Sequence, residues 1–466
     1  MTIVADVADP DDPGEPPEDV FPPPRGRPAV AAAALAAAFL NGRWEPPLMG
    51  RRGERRLGER GEWITDLART VRHEYPDKPL DGPRELARFI RACPQFRQAV
   101  EGRDGRPWDL PFLLRPRVQM VANPFAVPVI EDAATLARWL GLTPDHLDWF
   151  ADRFSFENRV GDERLRHYRR SWIRKADGSG RLLEAPKREL KDLQRMILHG
   201  ILDRIPPHPA AHGFTRGRSA VTGARLHAGP EALLHLDLES FFTAVTAGRV
   251  FGTFRMAGYP EPVAHLLTAL CTTSTPAWVR RQAPPAPHAG AVERRRRMLA
   301  ALALPHLPQG SPTSPALANL AAYRLDRRLT GLAARFGATY TRYADDLTIS
   351  GDRSLIRRAG RIIALAETIA ADEGFRINDS KTRVRSRAQR QLVTGLVVND
   401  RPNVVRADYD RLRAVLHDAV VNGPAAANRQ GLPDFRAHLL GRIGWAAASN
   451  PRRAEKLHAA FAAITW

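Results

Sequence analysis

The stretch YTRYADDLTISGDR, Tyr340 to Arg353, sets two adjacent aspartates between two runs of strand formers. Tyr340, Thr341 and Tyr343 precede the pair, and Leu347, Thr348 and Ile349 follow it. β-Branched and aromatic residues in such runs favour strands, so the spacing predicts a β-hairpin with Asp345 and Asp346 at its tip. Aspartate is also a common turn residue, and taken alone YADD fits an ordinary turn. Two neighbouring carboxylates nevertheless repel unless a cation offsets their charge.

Nucleotidyl transfer by two divalent metals needs carboxylates that converge from separate segments, because the ions sit roughly 3.5–4 Å apart with positions left open for phosphate oxygens. ALLHLDLESFF, Ala232 to Phe242, supplies a second segment. Leu234, Leu236 and Leu238 alternate as in a buried strand and turn Asp237 to the opposite face. LPQGSPTSPALANLAAYRLDRRL, Leu307 to Leu329, supplies a third: a Pro/Gly loop opening a helix, whose first amides suit phosphate or base-pair contact. Each segment has a plainer reading, an exposed Asp on a half-buried strand or a simple cap at Thr313 or Ser314. Their order along the chain favours a shared site.

Composition bounds the partners. The 466 residues include 70 Lys and Arg against 51 Asp and Glu, a net charge of +19 that attracts polyanions. Nucleic acid leads, ahead of an anionic membrane surface. Two cysteines, Cys93 and Cys271, exclude a disulfide framework and a CxxC zinc site, which fits a reducing cytoplasm. The longest apolar run, Ala29 to Leu40, is Ala-dominated, too short to cross a bilayer, and reads as a helix. An acidic, Pro-rich segment precedes it, unlike the basic start of a signal peptide.

Residues 1–30 hold too little apolar material to bury a core and are expected to be a disordered acidic tail. Residues 31–165 read as a helical N-terminal extension, in which EDAATLARWLGLTPDHLDWFADRF, capped at Asp132, reads as two helices packing on each other, with a helix-turn-helix as the alternative. From about Arg166 a hairpin is expected around Asp-Gly-Ser-Gly, then a helix over Arg188–Ile205, a Pro/Arg-rich insertion whose Arg294–Arg297 run tracks phosphates or is simply a solvated face, a helix over Arg357–Glu373, strands at about Arg390–Val398 and Asn403–Arg406, and closing helices.

The ordered blocks LDLESFF, LPQGSPTSPALANL, YTRYADDL, GFRINDSKTR and QLVTGLVVN resemble those of bacterial retron-type reverse transcriptases, over roughly the 300 residues from Arg166. The resemblance implies an α+β right-hand polymerase fold with an antiparallel palm sheet, fingers and palm over 166–405 and a helical thumb over 406–466. It implies two Mg²⁺ ions held by Asp237, Asp345 and Asp346 with the Leu238 carbonyl, Asp345 being the stronger ligand of the pair. Phe242 matches the aromatic gate that excludes a 2′-hydroxyl, with a core phenylalanine as the alternative. Gln309, Arg181, Lys187 and Lys381 match nucleotide-binding positions, and Tyr343 positions the hairpin and primer end. RNA recognition is expected from the VTG element, Val393, Thr394 and Gly395, from His227, and from Arg436 and Arg442 in the thumb. The Asn-Ala-x-x-His element departs from the family at its first position, where Gly223 stands.

Such an enzyme copies a dedicated structured noncoding RNA with dNTPs, starting from an internal RNA 2′-hydroxyl, and leaves a covalent RNA–DNA hybrid. It commonly acts in antiphage defence with an effector, either a separate protein or part of residues 1–165. Two alternatives stay open: a non-retron defence reverse transcriptase, and a catalytically silent RNA-binding scaffold.

Overall fold

In the computed structural model, which describes residues 28–108, 110, 118–153 and 155–466, the chain divides into two units. One holds the described residues up to 153 together with Phe251–Leu270, and the other holds Ser155–Val250 and Cys271–Trp466. The expected tail falls outside the described residues except at its end, where Pro28 opens a helix, Pro28–Leu40, so that residues 28–30 are ordered rather than part of a tail. Proline at a first helical position gives up no hydrogen bond and pre-sets φ.

That Ala-rich helix is buried on nearly every side, since small side chains let neighbouring helices approach. Pro46–Leu57 and Pro83–Ala92 pack against it and Glu62–Glu74 packs against Pro46–Leu57, with Leu86 and Ile90 fully buried and Phe89 partly buried in the shared core. The Asp132 cap forms, its carboxylate accepting from the Thr135 amide at 2.7 Å, and the helices Ala133–Leu140 and Pro144–Ala151 follow. Phe251–Leu270, which the linear reading runs through as fingers and palm, clusters with these helices instead. Arg255 pairs with Asp81 at 2.7 Å, and the Glu261 carboxylate accepts from the Arg84 amide at 2.7 Å.

The second unit opens with the expected hairpin, β1 (Tyr168–Arg174) and β2 (Gly180–Pro186), its turn held by Asp177 accepting from the Ser179 amide and hydroxyl. The helix Arg188–Gly200 follows and stops short of Ile205, the chain continuing as a single 3-10 turn. A four-stranded antiparallel sheet then assembles in the order β4–β5–β3–β6 from β3 (Ala232–Asp237), β4 (Thr339–Tyr343), β5 (Asp346–Gly351) and β6 (Arg383–Ser386). The helix Ser354–Asp372 packs against it. The central strand β3 is buried on both faces, so Asp237 is only 4% exposed rather than on an open surface.

The segment read as one strand over Arg390–Val398 is a tight hairpin, β7 (Leu392–Val393) and β8 (Leu396–Val397), extended by β9 (Asn403–Val404). Thr394 and Gly395 form its turn with φ of +48° and +83°, the positive pair that a right-twisted two-residue hairpin requires. Helices close the chain, and Leu439 and Ile443 enter their core while Leu440 and Trp445 stay exposed.

Beneath the β4–β5 hairpin lies a buried ion pair. The Arg342 guanidinium donates to both Asp326 oxygens at 2.8 and 2.6 Å, to the Asn319 side-chain oxygen at 2.9 Å and to the Ala344 carbonyl at 3.1 Å. Both charged side chains are fully buried. Arg342→Leu strands the Asp326 charge and is expected to cost about 3–5 kcal/mol, read as a lower urea midpoint with an unchanged slope.

Candidate active site

Antiparallel pairing brings the separated carboxylates together. Asp237, last residue of β3, stands opposite Asp346, first residue of β5, and residue alternation places both on one face of the sheet. Asp345 sits in the two-residue turn between β4 and β5, where its carbonyl accepts from the Leu238 amide at 2.9 Å. Its neighbour Ala344 has φ +55°, a left-handed conformation that alanine seldom adopts. Gly213 lies against this turn so closely that an added Cβ would come within 2.7 Å of the Ala344 nitrogen.

The electrostatics follow from crowding acids away from water. Burial, then the Asp345 and Asp237 charges, push the Asp346 carboxyl up to about 7. Burial and Asp237 raise Asp345 as well, against a weaker opposing pull from Lys381 and Arg181. The Lys381 ammonium meets Asp237 at 2.8 Å, and Asn378 donates to the other Asp237 oxygen at 3.3 Å. Arg294 in turn holds the Asn378 side-chain oxygen at 3.1 Å. His235, 3.6 Å from Asp346, is held below its ordinary pKa mainly by burial.

The donor set suits magnesium: hard carboxylate oxygens with no sulfur, on carboxyls raised first by burial and then by the charges of their acidic neighbours. Among the described residues no three His, Cys, Asp or Glu side chains close into a ready cage, and Lys381 covers one Asp237 oxygen. This is compatible with magnesium, which keeps waters and substrate phosphates among its ligands.

The other expected site residues divide. Phe242 is half-buried beside Phe241, ring centroids 5.7 Å apart, and so is not sealed in the core. Gln309 is held through its carbonyl, which accepts from the Glu184 amide of β2 at 2.9 Å. In the same loop the Ser311, Thr313 and Ser314 hydroxyls are buried and bonded within the unit, so none caps the helix Ser314–Ala321 through its side chain. Arg181, on the same strand β2, acts electrostatically on Asp345.

The Lys187 ammonium donates to the Glu163 and Arg164 carbonyls. Lys175, in the β1–β2 turn, has its pKa lowered chiefly by desolvation, with Arg181 and Lys381 adding to the fall and Asp177 and Asp237 opposing it. Sequence reasoning passed over it among many basic residues. The Arg294–Arg297 run is no free phosphate track either, since Arg295 caps the Ala283 and Pro284 carbonyls, Arg296 pairs with Glu293 and Arg297 with Glu239.

His227 is not available to RNA. It is 1% exposed, bridging Ser350 at 2.6 Å and Thr341 at 2.8 Å. Gly223, the departure noted above, packs against the His212 ring, which an added Cβ would meet at 3.3 Å. In the VTG turn Val393 is buried and the Thr394 hydroxyl donates to the Ala220 carbonyl at 3.1 Å. Gly395 and Arg442 line a cavity of about 500 Å³ with Tyr409 and Trp445, while Arg436 is exposed and lies over the Trp466 ring. Phe214, which the sequence reading did not single out, is half exposed between Phe242 and Tyr343. The only available signal was its place in the glycine-punctuated HGFTRG.

Residues 173–398, which include all three carboxylates, match the family described as reverse transcriptase (RNA-dependent DNA polymerase). They are a reverse transcriptase domain. The palm sheet, with its hairpin and central acid strand, is thus that of a right-hand polymerase fold. The domain's relatives include the retron Mx65 reverse transcriptase of Myxococcus xanthus, 43% identical over 302 residues, covering 63% of this chain and 64% of that protein. The retron Mx162 reverse transcriptase of the same organism is 40% identical over 304 residues, 62% of this chain and 59% of that protein. The retron Ec86 reverse transcriptase of Escherichia coli is 34% identical over 238 residues, 51% and 64% respectively. The chain spans less than two thirds of the length of each of these relatives.

Burial pushes the His227 pKa of the domain down to about 4, below its unfolded value near 6.5. The unfolded chain therefore takes up this proton first as pH falls. The associated stability, roughly 3 kcal/mol at most, is full above about pH 6.5 and is lost as pH drops toward 4. Urea unfolding between pH 7 and 4 should show this slope, and His227→Gln should flatten it.

Proposed function

We propose that the protein is an RNA-directed DNA polymerase of the retron type, copying a structured noncoding RNA into a linked RNA–DNA hybrid. The observation that carries this reading is the in-register pairing of Asp237 with Asp346, with Asp345 beside them in the turn, inside a reverse transcriptase domain. The retron names of the relatives favour this subtype over other defence polymerases. Retention of the mutually repelling Asp345–Asp346 pair argues against a silent scaffold.

Asp237, Asp345 and the Leu238 carbonyl would hold magnesium, with Asp346 in support. When bound there, magnesium lowers the pKa of the primer hydroxyl and stabilises the phosphoryl group in transfer and the departing pyrophosphate. Lys381 neutralises Asp237 in the resting site and is free to turn to the triphosphate once that oxygen is claimed. Arg181 and Lys175 approach from the β1–β2 hairpin as further counter-charges for phosphate. Gln309 and Phe242 face the nucleotide, Phe242 excluding a ribose 2′-hydroxyl by bulk. Tyr343 steadies the primer end.

RNA recognition falls to the thumb and the VTG turn, where Arg436 and Arg442 remain as candidate contacts and His227 acts from beneath as a structural bridge. Binding to the RNA is expected to be strongly salt-dependent, as phosphate contacts are. We place this activity in the cytoplasm, in antiphage defence, with an effector that is either separate or within residues 1–165. No helix among the described residues is long and apolar enough to cross a membrane.

The combined change Asp345→Ala and Asp346→Ala should abolish Mg²⁺-dependent primer extension and leave RNA affinity within about threefold. Full extension by that variant would remove the site assignment. Sequencing nucleic acid co-purified with the wild-type protein separates the readings: DNA joined to RNA supports a retron, unlinked DNA another defence polymerase, and RNA alone a scaffold. Phe242→Ala should raise ribonucleotide incorporation, and an unchanged ratio would return Phe242 to the core.

A further inference from the structure

We propose that Phe214 is a positioning residue for sugar discrimination, its ring bracing that of Phe242. This rests on the reading of Phe242 as the sugar gate and goes one residue beyond it.

Three observations converge on Phe214. Its ring centroid is 6.1 Å from that of Phe242 and 6.4 Å from that of Tyr343, so it spans the gap between the gate and the aspartate hairpin. Its side chain is 50% exposed, where a phenylalanine gains little from burial. Its backbone sits at φ +58°, a region that bulky residues avoid. An exposed aromatic in a strained conformation persists only where its surroundings over-determine it.

Those surroundings are unusually complete. The His212 amide donates to the Arg342 carbonyl at 2.8 Å, and the Arg342 amide to the Ala210 carbonyl at 2.8 Å, which lays the loop along β4. Asn319 donates to the Gly213 carbonyl at 2.9 Å, and one Arg218 nitrogen reaches the carbonyls of His208, Pro209 and Ala211. Thr215 closes the loop with its hydroxyl donating to the Gly213 carbonyl at 3.2 Å. Gly213 leaves no room for the backbone to retreat from the Ala344 turn. The loop therefore holds Phe214 in register with the carboxylates, not merely near them.

The consequence is for the gate. Phe242 lies in a four-residue helix, Phe241–Ala244, with Phe241 packed on one side, 5.7 Å away and 4% exposed. Phe214 is a second ring beside it, 6.1 Å away and 50% exposed. Without that ring Phe242 is free to change rotamer, and a gate that can swing excludes a 2′-hydroxyl less well.

The test is primer extension on poly(rA) with an oligo(dT) primer and Mg²⁺, comparing kcat/KM for dTTP and UTP. Phe214→Ala and Phe214→Gly should lower the preference for dTTP by roughly threefold to tenfold, the weight of one aromatic pair, chiefly by admitting UTP. Phe214→Tyr should restore it. In a Phe242→Ala background Phe214→Ala should change the preference no further, because the effect runs through Phe242. Glycine accepts the positive φ freely, so the Phe214→Gly protein should melt no lower than wild type, which separates lost discrimination from lost fold. Wild-type preference in both variants, or effects that add in the double variant, would overturn the inference while dTTP incorporation by wild type leaves the polymerase reading intact. Absence of dTTP incorporation by wild type would overturn that reading and the inference with it.

Discussion

The buried pair of Arg342 and Asp326 is the contact on which the site depends. One guanidinium joins the helix Tyr323–Arg335 through Asp326, the helix Ser314–Ala321 through Asn319, and the hairpin turn through the Ala344 carbonyl. Tyr340 adds its hydroxyl to the same Asp326 oxygen at 2.9 Å, and the Arg342 charge lies over the Phe241 ring. A buried ion pair is weak support for net stability, because desolvating two charges offsets most of their attraction. Its value here is geometric. Five donors in a rigid plane specify where the turn sits, and hence where Asp345 and Asp346 point.

That placement sets up an electrostatic contrast. The protein as a whole is strongly basic, yet its centre gathers three carboxylates on and beside one sheet face, with Asp346 pushed up to about 7. Such a cluster stores repulsion that a bound cation relieves. Meanwhile Lys381, Lys175 and Arg181 stand nearby without cancelling it. Basic groups around an acidic floor suit a polyanionic substrate whose phosphates bind one set of charges while its metal binds the other.

How much was legible varied with the kind of signal. The central strand, the hairpin and their shared acids stand out because strand alternation and turn chemistry are local properties. The VTG segment misread as continuous strand, since a turn built on Thr394 and Gly395 carries no Asn-Gly or Asp-Gly marker. Lys187 and Lys175 differ little as letters; what each ammonium meets depends on the path of β1 and β2. The family resemblance gave His227 to RNA recognition, whereas its burial between Thr341 and Ser350 depends on residues more than a hundred positions away.

The sequence by itself determined the chemistry available to this protein: three aspartates in strand and turn contexts, a glycine- and proline-rich loop between them, and an excess of positive charge. These follow from residue type and short spacing, which neighbours along the chain already specify. Only the tertiary structure decided which groups meet. Register put Asp237 opposite Asp346, Arg342 anchored the turn, the β1–β2 hairpin selected Lys175 and Arg181, and a crowded loop held Phe214 against Phe242. Contacts of that kind join segments far apart in the chain, and their partners emerge only when burial forces each polar group to find one.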